Sequence, residues 1–135
     1  MMIQIERSID IEDEVRIALS PYFSIYCRPL PENFELPSLL VTQTGGYDEN
    51  RIDNFNITID SRAETEAEAL DLLLDATATL KEVARMQFTK IRFVSVNSCG
   101  SWGKDPVRPD LAMASAQLTV YTHKVTKKIN NSKGE

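Results

Sequence analysis

The stretch Asn54-Phe55-Asn56-Ile57-Thr58-Ile59-Asp60 alternates polar and apolar residues, then runs through Ser61-Arg62-Ala63-Glu64 into a helical pattern ending near Met86. A period of two that changes to a period of 3.6 confines the chain to folds in which a strand hands over to a helix lying on a sheet. Ala67, Leu70, Leu73, Leu74, Thr77, Leu80 and Ala84 make one apolar stripe, with Glu66, Glu68, Asp71, Asp75 and Glu82 largely on the other side. Ser61 with Glu64 fits a capping box at the start of this helix. At about 1.5 Å per residue it would be roughly 35 Å long. Such a helix needs a sheet beneath it.

The rest of the chain supplies one. Asp10 to Leu19 reads as a short helix, with Ile11, Val15, Ala18 and Leu19 on one face and Glu12, Asp13 and Glu14 in the first turn, where acids suit the macrodipole. Phe23 to Cys27 is aromatic and branched enough for a strand. Pro29, Pro31 and Pro37 mark an irregular connection, and a second strand, Leu39 to Thr44, is stopped by Gly45-Gly46. A polar loop from Tyr47 to Asp53 leads into the alternating strand. Lys90 to Asn97 forms a fourth strand, Ser98 to Asp110 a Gly- and Pro-containing loop, and Leu111 to Thr122 a fifth strand. In that last strand Ala112, Ala114, Ala116, Leu118 and Val120 form the inward row, small enough for a helix to approach closely.

The expected layout is α-β-β-β-α-β-β: an α+β fold with a largely antiparallel or mixed sheet of about five strands and two helices on one face. Residues 1–124 would form a single domain and 125–135 a flexible basic tail. Val94, Val96, Met113 and Tyr121 are assigned to the sheet's outer face, which is then apolar enough to need a cover.

Composition narrows the function classes. Residues 1–84 hold 17 acidic against 6 basic residues, whereas residues 85–135 hold 9 basic against 3 acidic. An acidic chain is a poor sequence-independent nucleic-acid binder, but opposite fields at two ends of a protomer suit head-to-tail packing. No run of apolar residues approaches the ~18 needed to span a bilayer. The N-terminus has no signal-peptide pattern, so synthesis in the cytoplasm is expected. Cys27 and Cys99 are far apart and read as reduced thiols.

Catalytic equipment is sparse. Cys99-Gly100-Ser101-Trp102 lacks the second cysteine and the helix that a papain-type nucleophile needs, and the sole histidine, His123, ends a strand. Gly100 to Lys104 lacks phosphate-loop spacing, and no cluster has the spacing of metal ligands. The expectation is a non-enzyme with no catalytic residues, cofactor or metal. Exposed, unusual side chains in the two long loops are the candidates for contact: Tyr47, Asp48 and Arg51 in the first, Trp102, Lys104 and Arg108 in the second.

The order of these pieces resembles a known family. Leu36-Pro37-Ser38-Leu39-Leu40-Val41 with Thr44-Gly45-Gly46, then Asp60-Ser61-Arg62-Ala63-Glu64 with Glu66-Ala67-Glu68-Ala69, then Trp102-Gly103-Lys104-Asp105-Pro106 before an Ala-rich closing strand, resemble the tail terminator proteins of long-tailed bacteriophages. The likeness covers about residues 9–124. It implies a homo-hexameric ring on the last ring of major tail tube protein, at the head–tail junction of a phage or prophage virion. That ring would stop tube polymerisation and offer a surface to the head-completion or neck protein. The family implies no enzyme activity, no membrane and no sequence-specific nucleic acid. A neck or head-completion adaptor shares the layout. A small enzyme or ligand-binding domain with a pocket lined by Cys99, Trp102 and His123 is the alternative from another class.

Overall fold

The computed structural model describes residues 1–49, 52–87 and 89–131, with residues 47–49 described by their backbone. Its elements in chain order are β1 (Met2–Arg7), α1 (Ile11–Leu19), β2 (Ile25–Cys27), β3 (Ser38–Glu49), β4 (Ile52–Ala63), α2 (Glu66–Met86), β5 (Ile91–Lys104), β6 (Ala112–His123) and β7 (Val125–Asn130). The fold is α+β. A five-stranded mixed sheet has the order β2-β3-β4-β6-β5, parallel between β2 and β3 and antiparallel elsewhere. β1 and β7 form a separate two-stranded antiparallel ribbon.

Both helices lie against the five-stranded sheet. α2 packs on β4, β5 and β6, and α1 on β2, β3 and the side of α2. The core between them holds Ile11, Val15 and Leu19 of α1, Ile57 and Ile59 of β4, Leu73 and Leu80 of α2, and Leu118 and Val120 of β6. The inward row of β6 is as the alternation predicts. Ala114 and Ala116 are fully buried, and their small side chains leave room for the helix.

The helix starts one turn later than Ser61 and Glu64 suggest. Thr65 is the N-cap, its hydroxyl accepting from the Glu68 amide at 3.2 Å and reaching the Glu68 carboxylate at 3.1 Å. Ser61 stays in β4, where its hydroxyl lies 2.7 Å from the Ala69 carbonyl and 3.3 Å from that of Ala114. It ties strand, helix and neighbouring strand together. The buried face of α2 is Ala69, Leu73, Ala76, Thr77, Leu80, Val83 and Ala84. Ala67 and Leu74, placed in the stripe by the sequence, face solvent. Both stripes repeat at 3.6 residues, so the exit direction of β4, not periodicity, selects between them. Thr65→Ala is expected to cost about 1 kcal/mol in urea unfolding, which would confirm Thr65 as the cap.

Two expected loops are strands. Gly45-Gly46 does not stop β3; the pairing shifts register between Gln43 and Gly45 and continues to Glu49 opposite Ile52. The skipped residue is Thr44, and the glycines follow this bulge as paired strand residues, not as an end. Likewise most of the segment from Ser98 to Asp110 belongs to β5, which runs on to Lys104 with register shifts at Ile91/Phe93, Val96/Ser98 and Cys99/Ser101. Only residues 105–111 form the connection. β5 is an edge strand, and bulges are tolerated there.

The bulge after Ile91 also corrects the reading of the outer face. Val94 is buried in the core and Val96 rests against it, whereas Phe93 turns outward onto Tyr121, ring centroids 5.6 Å apart. The middle of the outer face is polar. Asn97 donates to Thr119 at 2.8 Å, Thr119 to Asn56 at 3.1 Å and Ser115 to Asp60 at 2.5 Å. Residues 125–130, expected as part of a flexible tail, are β7, hydrogen-bonded in register to β1. Residues 132–135 lie outside the described residues.

Candidate interaction surfaces

The long antiparallel pair β4–β6 sets the frame, because it fixes what stands at each end of the sheet. Asn54 pairs with Tyr121 at one end, and Arg62 with Met113 at the other. The eight-residue step along β6 separates the ends by about 26 Å at the usual strand rise of ~3.3 Å.

At the second end, an ion pair closes the connection between β5 and β6 over the sheet. Arg62 leaves β4 on the outer face and meets Asp105, Nε to Oδ2 at 2.6 Å, with side-chain exposures of 8% and 4%. The other Asp105 oxygen accepts from the amides of Val107 and Arg108 at 2.8 and 2.9 Å. Burial pushes the Asp105 carboxyl up, but the Arg62 hydrogen bond and the two amides outweigh it and hold the group below its ordinary value. Phe34, on the proline-rich segment before β3, places its ring centroid 6.0 Å from the Arg62 guanidinium carbon. That segment and residues 105–108 enclose a cavity of about 430 Å³ lined by Leu30, Pro31, Phe34, Arg62 and Val107. Among the described residues, Arg62 Nη1 has no hydrogen-bond partner.

Three of the six candidate contact residues gather at this end. Trp102 lies on β5 opposite Ala114 and is half exposed. With Lys104 it borders a groove of about 490 Å³ shared with Glu64, Glu66, Pro109 and Asp110. Trp102 therefore lines a surface groove, not a loop tip. Arg108 follows the ion pair directly and reaches Asp110 at 3.3 Å, both exposed, so that contact contributes little to stability.

Tyr47 and Asp48 stand at the opposite end, on β3 across from Asn54 and Asp53. Arg51 lies outside the described residues. The six candidates are thus divided between the two ends. Beside the first end, Lys124 pairs with the buried carboxylate of Asp53. The exposed Phe93, with Lys81, Arg85, Arg92 and the single acid Glu82, which pairs with Arg85, lines a groove of about 610 Å³ between α2 and β5. That groove is basic, whereas the N-terminal half of α2 carries Glu66, Glu68, Asp71 and Asp75. The charge asymmetry of the sequence therefore runs along a single helix.

The alternative pocket does not assemble. Cys99 pairs with Ala116, and His123 is seven residues further along β6, about 23 Å at ~3.3 Å per residue. Cys27, half buried, donates toward the Glu12 carbonyl at 3.3 Å, and burial raises its thiol above the ordinary value. That makes it a poor nucleophile at neutral pH. Among the described residues no three His, Cys, Asp or Glu side chains come together as a metal site, and no helix is long and apolar enough to cross a membrane.

No local pattern signals the Arg62–Asp105 pair. Arg62 sits where alternation points outward, and its partner is 43 positions away. Compared with known proteins, the chain matches no family model and no curated sequence.

Proposed function

We propose that this protein is a phage structural protein of the tail terminator type, which caps the tail tube, stops its growth and offers the joining surface for the head. The sequence likeness motivates the reading. The observation that carries it is the division of the candidate contact residues between two ends of one sheet, Tyr47 and Asp48 at one and Trp102, Lys104 and Arg108 at the other. A cap needs two such ends, one for the tube and one for the next component. Two of the stretches that carry the likeness also meet in space, since Arg62 of the Asp60-Ser61-Arg62 run holds Asp105 of the Lys104-Asp105-Pro106 run.

The opposed charges along α2 support head-to-tail assembly, because a contact between acidic and basic surfaces is heterologous, and heterologous contacts form a ring when their rotation closes. Termination would follow from occupancy. One rim docks on the tube end and the other presents no further tube site. Deleting the gene from a phage that carries it is expected to give tails of uncontrolled length and heads without tails in electron micrographs. Tails of normal length beside unjoined heads would assign the protein to the neck instead. Normal, fully joined particles would overturn both assignments.

A further inference from the structure

The β1–β7 ribbon stands apart from the rest of the fold. Its strands pair along their whole length, from Met2 opposite Asn130 to Arg7 opposite Val125, yet contacts with the body are sparse. Side chains at alternate positions share a face, so Ile3, Ile5 and Arg7 lie with Val125, Lys127 and Ile129. At the base of this face Val125 rests on the core. Further out the same apolar row continues into solvent, with Ile3 52% and Ile129 41% exposed. A lone two-stranded ribbon is marginal in water, and an uncovered apolar face makes it worse. The row needs a cover that the described residues do not supply.

Charge indicates what the cover is. The ribbon carries Arg7, Lys127 and Lys128 against Glu6 alone. On the outer face of α2, Asp71, Leu74, Asp75 and Ala78 follow at helical spacing and all are exposed. Leu74 is 49% exposed and flanked by acids; no base occurs between Arg62 and Lys81. An apolar strip with a basic rim thus has, on the same molecule, an apolar point with an acidic rim. The principal packing partners of α2 are β4, β5, β6 and α1, which leaves this face open.

We propose that the ribbon is an arm that docks through Ile3, Ile129 and Lys127 on the Asp71–Leu74–Asp75 face of α2 in a second copy of this chain. Arm and helix are different surfaces and every copy has both, so the contact is heterologous and propagates from copy to copy. This does not depend on any tail tube.

Disulfide trapping tests it. In a full-length chain with Cys27→Ser and Cys99→Ser, Ile3→Cys combined with Leu74→Cys is expected to give a ladder of multimers on mild oxidation. Either new cysteine alone should give no species beyond a dimer. A cross-linked monomer, or no cross-link at high concentration, overturns the proposal. Reversing the arm with Lys127→Glu and Lys128→Glu should lower the cross-linking yield about tenfold, equivalent to about 1.4 kcal/mol. Adding Asp71→Lys and Asp75→Lys should restore it; failure to restore it also counts against the contact. Apart from half-buried Cys27, where serine is close in size and keeps a donor for the Glu12 carbonyl, these side chains are exposed, so the fold is not at stake. Loss of the ladder would leave the gene-deletion result untouched, so the arm and the capping role fail separately.

Discussion

Replacing Arg62 by alanine is expected to lower the unfolding free energy by about 3–5 kcal/mol, because it leaves the Asp105 carboxylate buried without its counter-charge. Few single changes in this chain should do more. Both partners are under a tenth exposed and meet at 2.6 Å, so solvent cannot take over the lost interaction. Asp105→Ala should be similarly severe, since the amides of Val107 and Arg108 lose their acceptor as well. The double variant should recover part of the loss, because neither charge is then stranded, and urea titrations of the four proteins give the coupling directly. A shift below about 1 kcal/mol for Arg62→Ala would mean that the pair is solvated, as surface pairs are.

The pair also sets a pH dependence. The Asp105 carboxyl is depressed in the folded protein. Its contribution is therefore fully present above the unfolded value, about 3.9, and is lost as pH falls through the lower folded value. The stability gap between the natural chain and Asp105→Asn should be constant at neutral pH and close only in the acid range below about 4. The same variants should release residues 105–110. Since Arg108 sits on this connection and Trp102 and Lys104 lie just before it, one rim of the proposed cap would lose its shape before the core unfolds.

What could be read from the chain, and what could not, divides along the range of the interactions. α1, α2 and the inward row of β6 follow from periodicity, which is local. Ser61-x-x-Glu64 and Thr65-x-x-Glu68 are equally good capping boxes, and only the β4–β6 pairing, which carries β4 to Ala63 opposite Ala112, decides for the second. The Met2–Arg7 segment looks unremarkable until it finds Val125–Asn130 more than a hundred residues later. Glycine misled for a related reason. Gly45, Gly46, Gly100 and Gly103 resemble strand ends, but in a long hairpin and an edge strand they stand at bulges and close contacts. Of the contact candidates, residue type and exposure were legible for Trp102, Lys104 and Arg108. Their shared location with the Arg62 pair was not, because it depends on register across three strands.

The bulge in β3 yields the second large effect. Gly46 has φ +137°, and a Cβ there would stand 2.4 Å from the Asn54 carbonyl oxygen and 2.9 Å from the Phe55 Cα. These are backbone atoms of the partner strand, which cannot step aside as a side-chain end can. The left-handed backbone adds about 1–2 kcal/mol of its own for any L side chain, and overpacking against backbone a further 1–3 kcal/mol. Gly46→Ala should thus cost about 3 kcal/mol in all. The loss should be uneven. Gly46 pairs with Phe55 only three positions before the end of β3 at Glu49, whereas Val41 with Ile59 and Leu39 with Ser61 lie beyond the bulge on the core side. Amide exchange should therefore quicken at Tyr47, Asp48, Asp53 and Asn54 while protection at Val41 and Ile59 persists. If the hairpin end touches the tail tube, a phage carrying this variant should show irregular tail lengths with the protein still folded. Uniform loss of protection across β3 would instead mean that the bulge supports the whole sheet and not the rim alone.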